Sequence, residues 1–288
     1  MPRTRFEFFS PKTIQEAIDI LQENDDARVM AGGTDLLLKL KKGEIKSGVV
    51  VGLKNIDGLN RIVYTADKGL SIGATVLLAE VAGDKTINQN YPGISAAARK
   101  TANVQIRNMG TVVGNLCNAS PSADNAPMLL VLDSRLNIVG PGGERQLPLK
   151  DFFKGPGITA LGKSEIVESI DVPPPEPNTG TSYLSLSARG QVDCTAVGVA
   201  VKLTREGNVC RDIRIAVGAC GPTPLRVLEA EACLNGQSLS ETQVEQAAQI
   251  AVEKTRPIDD VRASASYRAI VVEVLVKRAI REAANSIN

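Results

Sequence analysis

"QIRNMGTVVGNLCNASPSADNAPMLLVLDSRL", residues 105–136, carries the pattern on which the fold turns. It starts as a glycine-punctuated loop, Gly110 to Asn115, whose small residues allow backbone to approach a ligand closely. A second polar loop, "NASPSAD", leads into an apolar stretch that predicts a helix from about Asp124 to Leu132 and then a strand from Arg135. About eighty residues earlier "AGGTDLL", 31–37, has the same character: it joins a predicted strand in "ARVMAGG" to a predicted helix in "TDLLLKLKKGE", capped by Thr34 or Asp35. A Gly-Gly-Thr turn at a helix start offers several N–H groups and a hydroxyl to an anion. Neither loop places a Lys or Arg where a triphosphate would want one, which suits the pyrophosphate of a dinucleotide. Neither contains G-x-G-x-x-G, so a Rossmann fingerprint is absent. Read singly, each loop is better taken as a tight turn; it is the pair that points to a ligand.

Composition narrows the chemistry. The 288 residues hold 33 basic and 32 acidic side chains, a formal net charge of +1, with no basic run to suit nucleic acid or an anionic membrane. Aromatics make up 3% and there is no Trp, which weakens a base-stacking role further. There is no histidine, so a Ser-His-Asp or Cys-His unit and a His-ligated metal are excluded within this chain. Hard chemistry is therefore expected from a cofactor. The five cysteines, Cys117, Cys194, Cys210, Cys220 and Cys233, show no C-x-x-C spacing, which speaks against zinc or iron–sulfur ligation. They read as buried small hydrophobes in a reducing compartment. "MPRTRFEFFSPKT" has no apolar signal core and no segment approaches transmembrane length, so a cytoplasmic location is expected.

Outward from the two loops, Thr13 and Glu16 stand at capping-box spacing before the apolar stripe Ile14, Ala17, Ile18, Leu21. "GVVVGL" predicts a buried strand, "RIVYTADKGLSIGA" a hairpin, "TVLLAEVAGD" a helix beginning at Thr75, and "YPGISAAARKTA" a helix with Pro92 in its first turn. "EIVESIDVPPP" is a strand running into prolines, and "PPPEPNTG", 173–180, is the best linker candidate. Beyond it "TAVGVAVKLTREG" and "VCRDIRIAVGAC" predict two long strands joined at Gly207–Asn208, followed by helices near Leu225–Leu234, Glu241–Lys254 and Ser264–Ala284. "GITALGKS", 157–164, matches the phosphate-loop pattern letter for letter. Its flanks are wrong: no buried strand precedes it and a strand, not a helix, follows Ser164.

"AGGTDLLLKLKKG", the 105–136 stretch, "EIVESIDVPPP" and "IRIAVGACGPTPLRVLEAEACL" together resemble the FAD-binding medium subunits of the xanthine dehydrogenase and carbon monoxide dehydrogenase (molybdenum hydroxylase) family, over nearly the whole chain. The resemblance implies an α+β fold: a vanillyl-alcohol-oxidase-like (PCMH-type) FAD-binding domain over 1–175, made of two subdomains at roughly 1–55 and 56–175. A C-terminal domain over 178–288, like that of the carbon monoxide dehydrogenase flavoprotein, would add an antiparallel sheet and a helical bundle. It implies FAD in this chain, [2Fe-2S] clusters in a small iron–sulfur partner subunit and molybdopterin in a large one, assembled as a dimer of heterotrimers. Electrons would pass from the clusters through FAD to an external acceptor, with no catalytic side chain in this chain.

Carried over by position, the resemblance implies that Val29, Met30, Ala31, Gly32, Gly33, Thr34, Asp35 and Leu36 line the ribityl chain and pyrophosphate, with Gly32, Gly33 and Thr34 as principal donors. Gly110, Thr111, Gly114 and Asn115 would form a second clamp. Asn118 and Asp124 would meet the nucleotide half, Thr101 and Ala102 would lie near the flavin, and Ile166 or Val167 would pack against the ring. Structural readings stand beside these: Arg107 as a salt-bridge partner, Asp124 as a helix N-cap, Asn118 as a turn residue. The chain departs from its relatives at Ser185, where a basic residue is frequent, while Arg189 is kept, and at Val113, where glycine is frequent. It lacks the cysteine-bearing insertion that would hold a [4Fe-4S] cluster. Two other readings are a flavin-free assembly subunit with the same fold and a self-contained reductase of the UDP-N-acetylenolpyruvoylglucosamine reductase type.

Overall fold

A computed structural model describes residues 5–189 and 193–287. Three sheets organise them, each built by a different sequence pattern. The first is parallel: β1 (Glu7–Phe9) and β2 (Arg28–Met30) flank β3 (Val49–Gly52), with α1 (Ile14–Glu23) and α2 (Leu36–Lys42) as connections. The central strand, "VVVG", is buried at all four positions, as a parallel strand covered on both faces must be. Thr13 caps α1 by accepting from the Glu16 amide at 3.1 Å, but the Glu16 carboxylate reaches the amide of Lys12, one residue short of a capping box.

The second sheet has the order β4-β5-β10-β6-β7, and its four pairings are antiparallel. The hairpin β4 (Ile62–Thr65) and β5 (Gly69–Gly73) forms as expected. Six short helices then fill the path to its far side: α3 (Leu78–Gly83), α4 (Lys85–Asn90), α5 (Pro92–Lys100), α6 (Val104–Arg107), α7 (Val112–Cys117) and α8 (Asn125–Val131). β6 (Arg135–Gly140) and β7 (Gly143–Pro148) follow, then a small ribbon of β8 (Phe153–Gly155) and β9 (Ile158–Thr159), and last β10 (Ile166–Val172). The helix expected from Thr75 begins three residues later. Thr75 donates its amide to the Leu59 carbonyl at 2.8 Å and Leu77 pairs with Thr111, so the chain stays extended until Glu80 accepts from the Leu77 amide at 2.8 Å.

Pro173–Asn178 joins this body to the third sheet, order β11-β12-β13-β14: β11 (Thr179–Leu186), β12 (Val197–Glu206), β13 (Val209–Gly218) and β14 (Leu225–Arg226). The turn between β12 and β13 is Gly207–Asn208, with Gly207 at φ +58. β12 is buried on both faces. Val197, Val199, Val201 and Leu203 pack under α9 (Leu228–Leu234), α10 (Glu241–Lys254) and α11 (Ala265–Asn285), while Ala200 joins the N-terminal core. Two expectations change here. β11 was not foreseen as a strand, and Leu225 and Arg226 belong to β14, not to the first turn of α9.

"GITALGKS" places Ile158 and Thr159 in β9 and runs through a turn into β10, so no helix start faces a phosphate. Lys163 is exposed and ion-paired with the still more exposed Asp25. We expect Lys163→Ala to melt with the wild type and neither protein to bind ATP in a calorimeter. Micromolar ATP affinity lost in the variant would reinstate the loop.

Candidate functional site

A cleft of about 1020 Å³ runs between the two glycine loops. That is at the upper end of the roughly 300–1,000 Å³ usual for ligand clefts, a size for an extended dinucleotide. Every position expected from the sequence lines it: Val29 to Leu36, Thr101, Ala102, Gly110, Thr111, Gly114, Asn115, Asn118, Asp124, Ile166 and Val167.

The loops touch each other as well as facing the cleft. A Cβ on Gly32 would stand 2.1 Å from the Met109 carbonyl oxygen and 2.8 Å from the Gly110 Cα, so glycine is required by backbone meeting backbone. Gly33 is needed for a different reason, its φ of +72, which turns the chain into α2. Among the described residues, the amides of Gly33, Thr34 and Asp35 meet no acceptor, leaving donors for an anion. Neither Thr34 nor Asp35 caps α2 by a side-chain hydrogen bond; Asp35 holds the N-cap position with its side chain uncommitted to the turn.

In the second loop Thr111 caps α7, its hydroxyl accepting from the Gly114 amide at 2.9 Å. Gly114 therefore lines the cleft with its own N–H already committed. Val113, the departure from the frequent glycine, sends its side chain into the core at 4% exposure. Behind the loop the buried Asn125 donates to Thr101 Oγ1 at 3.1 Å and to Asn115 Oδ1 at 3.0 Å, fixing two cleft residues from α8. Among the described residues Arg107 forms no salt bridge. Its guanidinium donates to the carbonyls of Thr101 and Ala102 at 3.0 and 2.9 Å, holding Ala102 at the positive φ of 49 that an L side chain resists.

Asp124 holds the N-cap position of α8, as expected, but its side chain makes no cap hydrogen bond. Its buried Oδ1 accepts from Tyr183 Oη at 2.8 Å and Thr195 Oγ1 at 2.6 Å, both from the third sheet and its loop. Burial pushes its carboxyl pKa up, opposed by these two hydrogen bonds. Asn118 accepts from the Lys39 ammonium at 2.6 Å, a contact between residues 79 apart. So a lysine does enter the cleft, from α2 and not from either glycine loop. Glu165, Arg189, Asp193 and Cys194 also line it, while Ser185, half-buried on β11, does not. Among the described residues no group of three or more His, Cys, Asp or Glu side chains could hold a metal ion.

The backbone-lined cleft, the unused first-turn amides and the glycine-dependent loop contact fit a diphosphate cofactor. Known proteins agree. The family model for the FAD binding domain in molybdopterin dehydrogenase matches residues 4–175, and that for the CO dehydrogenase flavoprotein C-terminal domain matches 182–283. The xanthine dehydrogenase FAD-binding subunit of Escherichia coli O157:H7 is 30% identical over 94% of this chain and 93% of its own. The nicotine 6-hydroxylase medium subunit of Paenarthrobacter nicotinovorans is 33% identical over 96% of both. A chain of the carbon monoxide dehydrogenase of Hydrogenophaga pseudoflava superposes with a TM-score of 0.97, at 30% identity and 100% coverage of both chains.

Proposed function

The chain belongs to the family of FAD-binding domains in molybdopterin dehydrogenases, and within that family we propose that its two glycine loops hold FAD for electron transfer between partner subunits and an external acceptor. It is an oxidoreductase subunit with an α+β, PCMH-type fold. The observation that carries the proposal is the meeting of Gly32 with Met109 and Gly110, which brings the free amides of Gly33 to Asp35 and the second loop to one cleft. FAD, when bound, supplies the redox chemistry, accepting electrons singly and releasing them in pairs.

The chain's own residues bind and orient. The first loop, from Val29 to Leu36, would hold the pyrophosphate by backbone donors. Thr111 and Asn115 would form the opposite clamp, with Asn125 fixing Asn115 and Thr101. Asp124, anchored through Oδ1, keeps its second oxygen for a ribose hydroxyl. Ile166 and Val167, both buried at the β10 end of the cleft, would offer an apolar wall to the flavin ring and exclude water from it. We read 1–175 as the FAD-binding unit, with subdomains at roughly 1–55 and 56–175, and 178–288 as the C-terminal unit.

The remaining parts of the proposal are a small [2Fe-2S] subunit and a large molybdopterin subunit as partners, a dimer of heterotrimers, and a cytoplasmic location. The names of the relatives as medium chains and FAD-binding subunits support the assembly. All five cysteines are free and no described helix is long and apolar enough to cross a membrane. The full-length matches to flavin-binding subunits disfavour both the flavin-free assembly subunit and the self-contained reductase.

We expect noncovalent FAD: there is no histidine for covalent attachment and no cysteine in the first loop. Acid precipitation of the purified protein should release the flavin into the supernatant. A folded, colourless protein that FAD cannot reconstitute would refute the proposal. Metal analysis of the complex co-purified from its source should find molybdenum and iron in the partner chains.

A further inference from the structure

Three basic side chains line the cleft. Arg28 is exposed on β2, and Arg189 is exposed and paired with Asp193 at 3.0 Å. Lys39 is different. It is half-buried on α2, and its Nζ crosses to the end of α7 to donate to Asn118 Oδ1 at 2.6 Å. That acceptor is a neutral amide oxygen, so it orients the ammonium without cancelling its charge. An ammonium has three donors and Asn118 takes one.

The carboxylates of the cleft leave this charge standing. Glu165 is held by Arg145, Asp193 by Arg189, and Asp124 accepts from Tyr183 and Thr195. Asp35, one turn back on α2, forms no ion pair with Lys39 among the described residues. The half-buried cation thus faces the same cleft as the unused backbone amides of Gly33, Thr34 and Asp35.

Resting on the flavin reading, we propose that Lys39, tethered by Asn118, binds the phosphate-bearing half of the dinucleotide and makes the cleft select FAD over unphosphorylated riboflavin. A charge-assisted contact of this kind contributes more than a neutral one, and its strength falls with salt because it is an interaction between ions.

The test uses the full chain freed of flavin, with FAD, ADP and riboflavin as probes, at low and high salt. Lys39→Met should weaken FAD and ADP by about ten- to hundredfold, flatten the salt dependence and leave riboflavin unchanged. Lys39→Arg should recover most of the affinity. Asn118→Asp keeps the tether but neutralises the ammonium, and should weaken FAD and ADP while the flavin-free protein still melts cooperatively. If the wild type binds FAD and Lys39→Met matches it in affinity and salt dependence, the lysine assignment is overturned while the flavin reading stands. If the wild type binds neither FAD nor ADP, both fall.

Discussion

Gly32→Ala should cost the protein most of its flavin and a good part of its stability, more than any substitution at Gly33. The added Cβ would sit 2.1 Å from the Met109 carbonyl oxygen and 2.8 Å from the Gly110 Cα. Both are backbone atoms, so no rotamer change relieves the clash and the two loops must separate. Overpacking of this kind costs about 1–3 kcal/mol, and moving the loops also misplaces the amides that face the ligand. At Gly33 the strain is the positive φ, about 1–2 kcal/mol for an L residue, and the nearest obstacle is the flexible Met30 side chain at 2.9 Å. Gly33→Asn, which tolerates the left-handed region, should therefore keep both fold and flavin. Flavin content per folded molecule and the melting temperature of the flavin-free form measure the two effects separately. A Gly32→Ala protein with wild-type flavin affinity would show that the loops do not depend on their mutual contact.

The elements of that site were legible in the sequence where their signals are local. Glycine pairs, small residues and a following apolar stripe are read within a dozen residues, and all of the expected positions meet at the cleft. What escaped is long-range. Lys39 reaches Asn118 across 79 residues, and Tyr183 and Thr195 reach Asp124 across 59 and 71. No local pattern encodes such pairs. β11 was hidden for a related reason: "TGTSYLSL" follows prolines and lacks a β-branched run, and it becomes a strand by pairing with β12 from Thr179 to Leu186. The late start of α3 likewise comes from tertiary pairing, since Thr75 and Leu77 are held extended by Leu59 and Thr111.

Those long-range contacts make the third sheet part of the cleft's support, and Arg268 is where that support is most exposed to a single change. Its side chain lies on α11 and is 1% exposed. One terminal nitrogen donates to the carbonyls of Ala196 and Ala219 at 3.0 and 2.8 Å, the other to Asp260 at 2.6 Å. Ala196 follows Thr195, which holds Asp124; Ala219, at φ +64, donates its amide to the Pro121 carbonyl at 2.8 Å in the polar loop of the cleft. Arg268→Leu would strand two buried carbonyls and leave Asp260 with Arg262 as its cationic partner. We expect it to destabilise the protein by about 2–5 kcal/mol, since each buried acceptor left without its donor costs about 1–3 kcal/mol. Flavin should dissociate faster from whatever remains folded, because both Asp124 and Pro121 lose their backing. Arg268→Lys keeps the charge but not the fork, and should recover only part of the loss. Asp260 adds a pH signature. Burial works against its charge, but the Arg262 amide and the Arg268 guanidinium prevail and hold its pKa below the usual value. Stability from that carboxylate is present above its unfolded pKa and is lost as pH falls through the lower folded value. The wild type should thus lose a contribution on acidification of which Arg268→Leu has already lost the guanidinium's share. Parallel acid-denaturation profiles for the two proteins, together with wild-type flavin release rates in Arg268→Leu, would show that α11 does not brace the cleft.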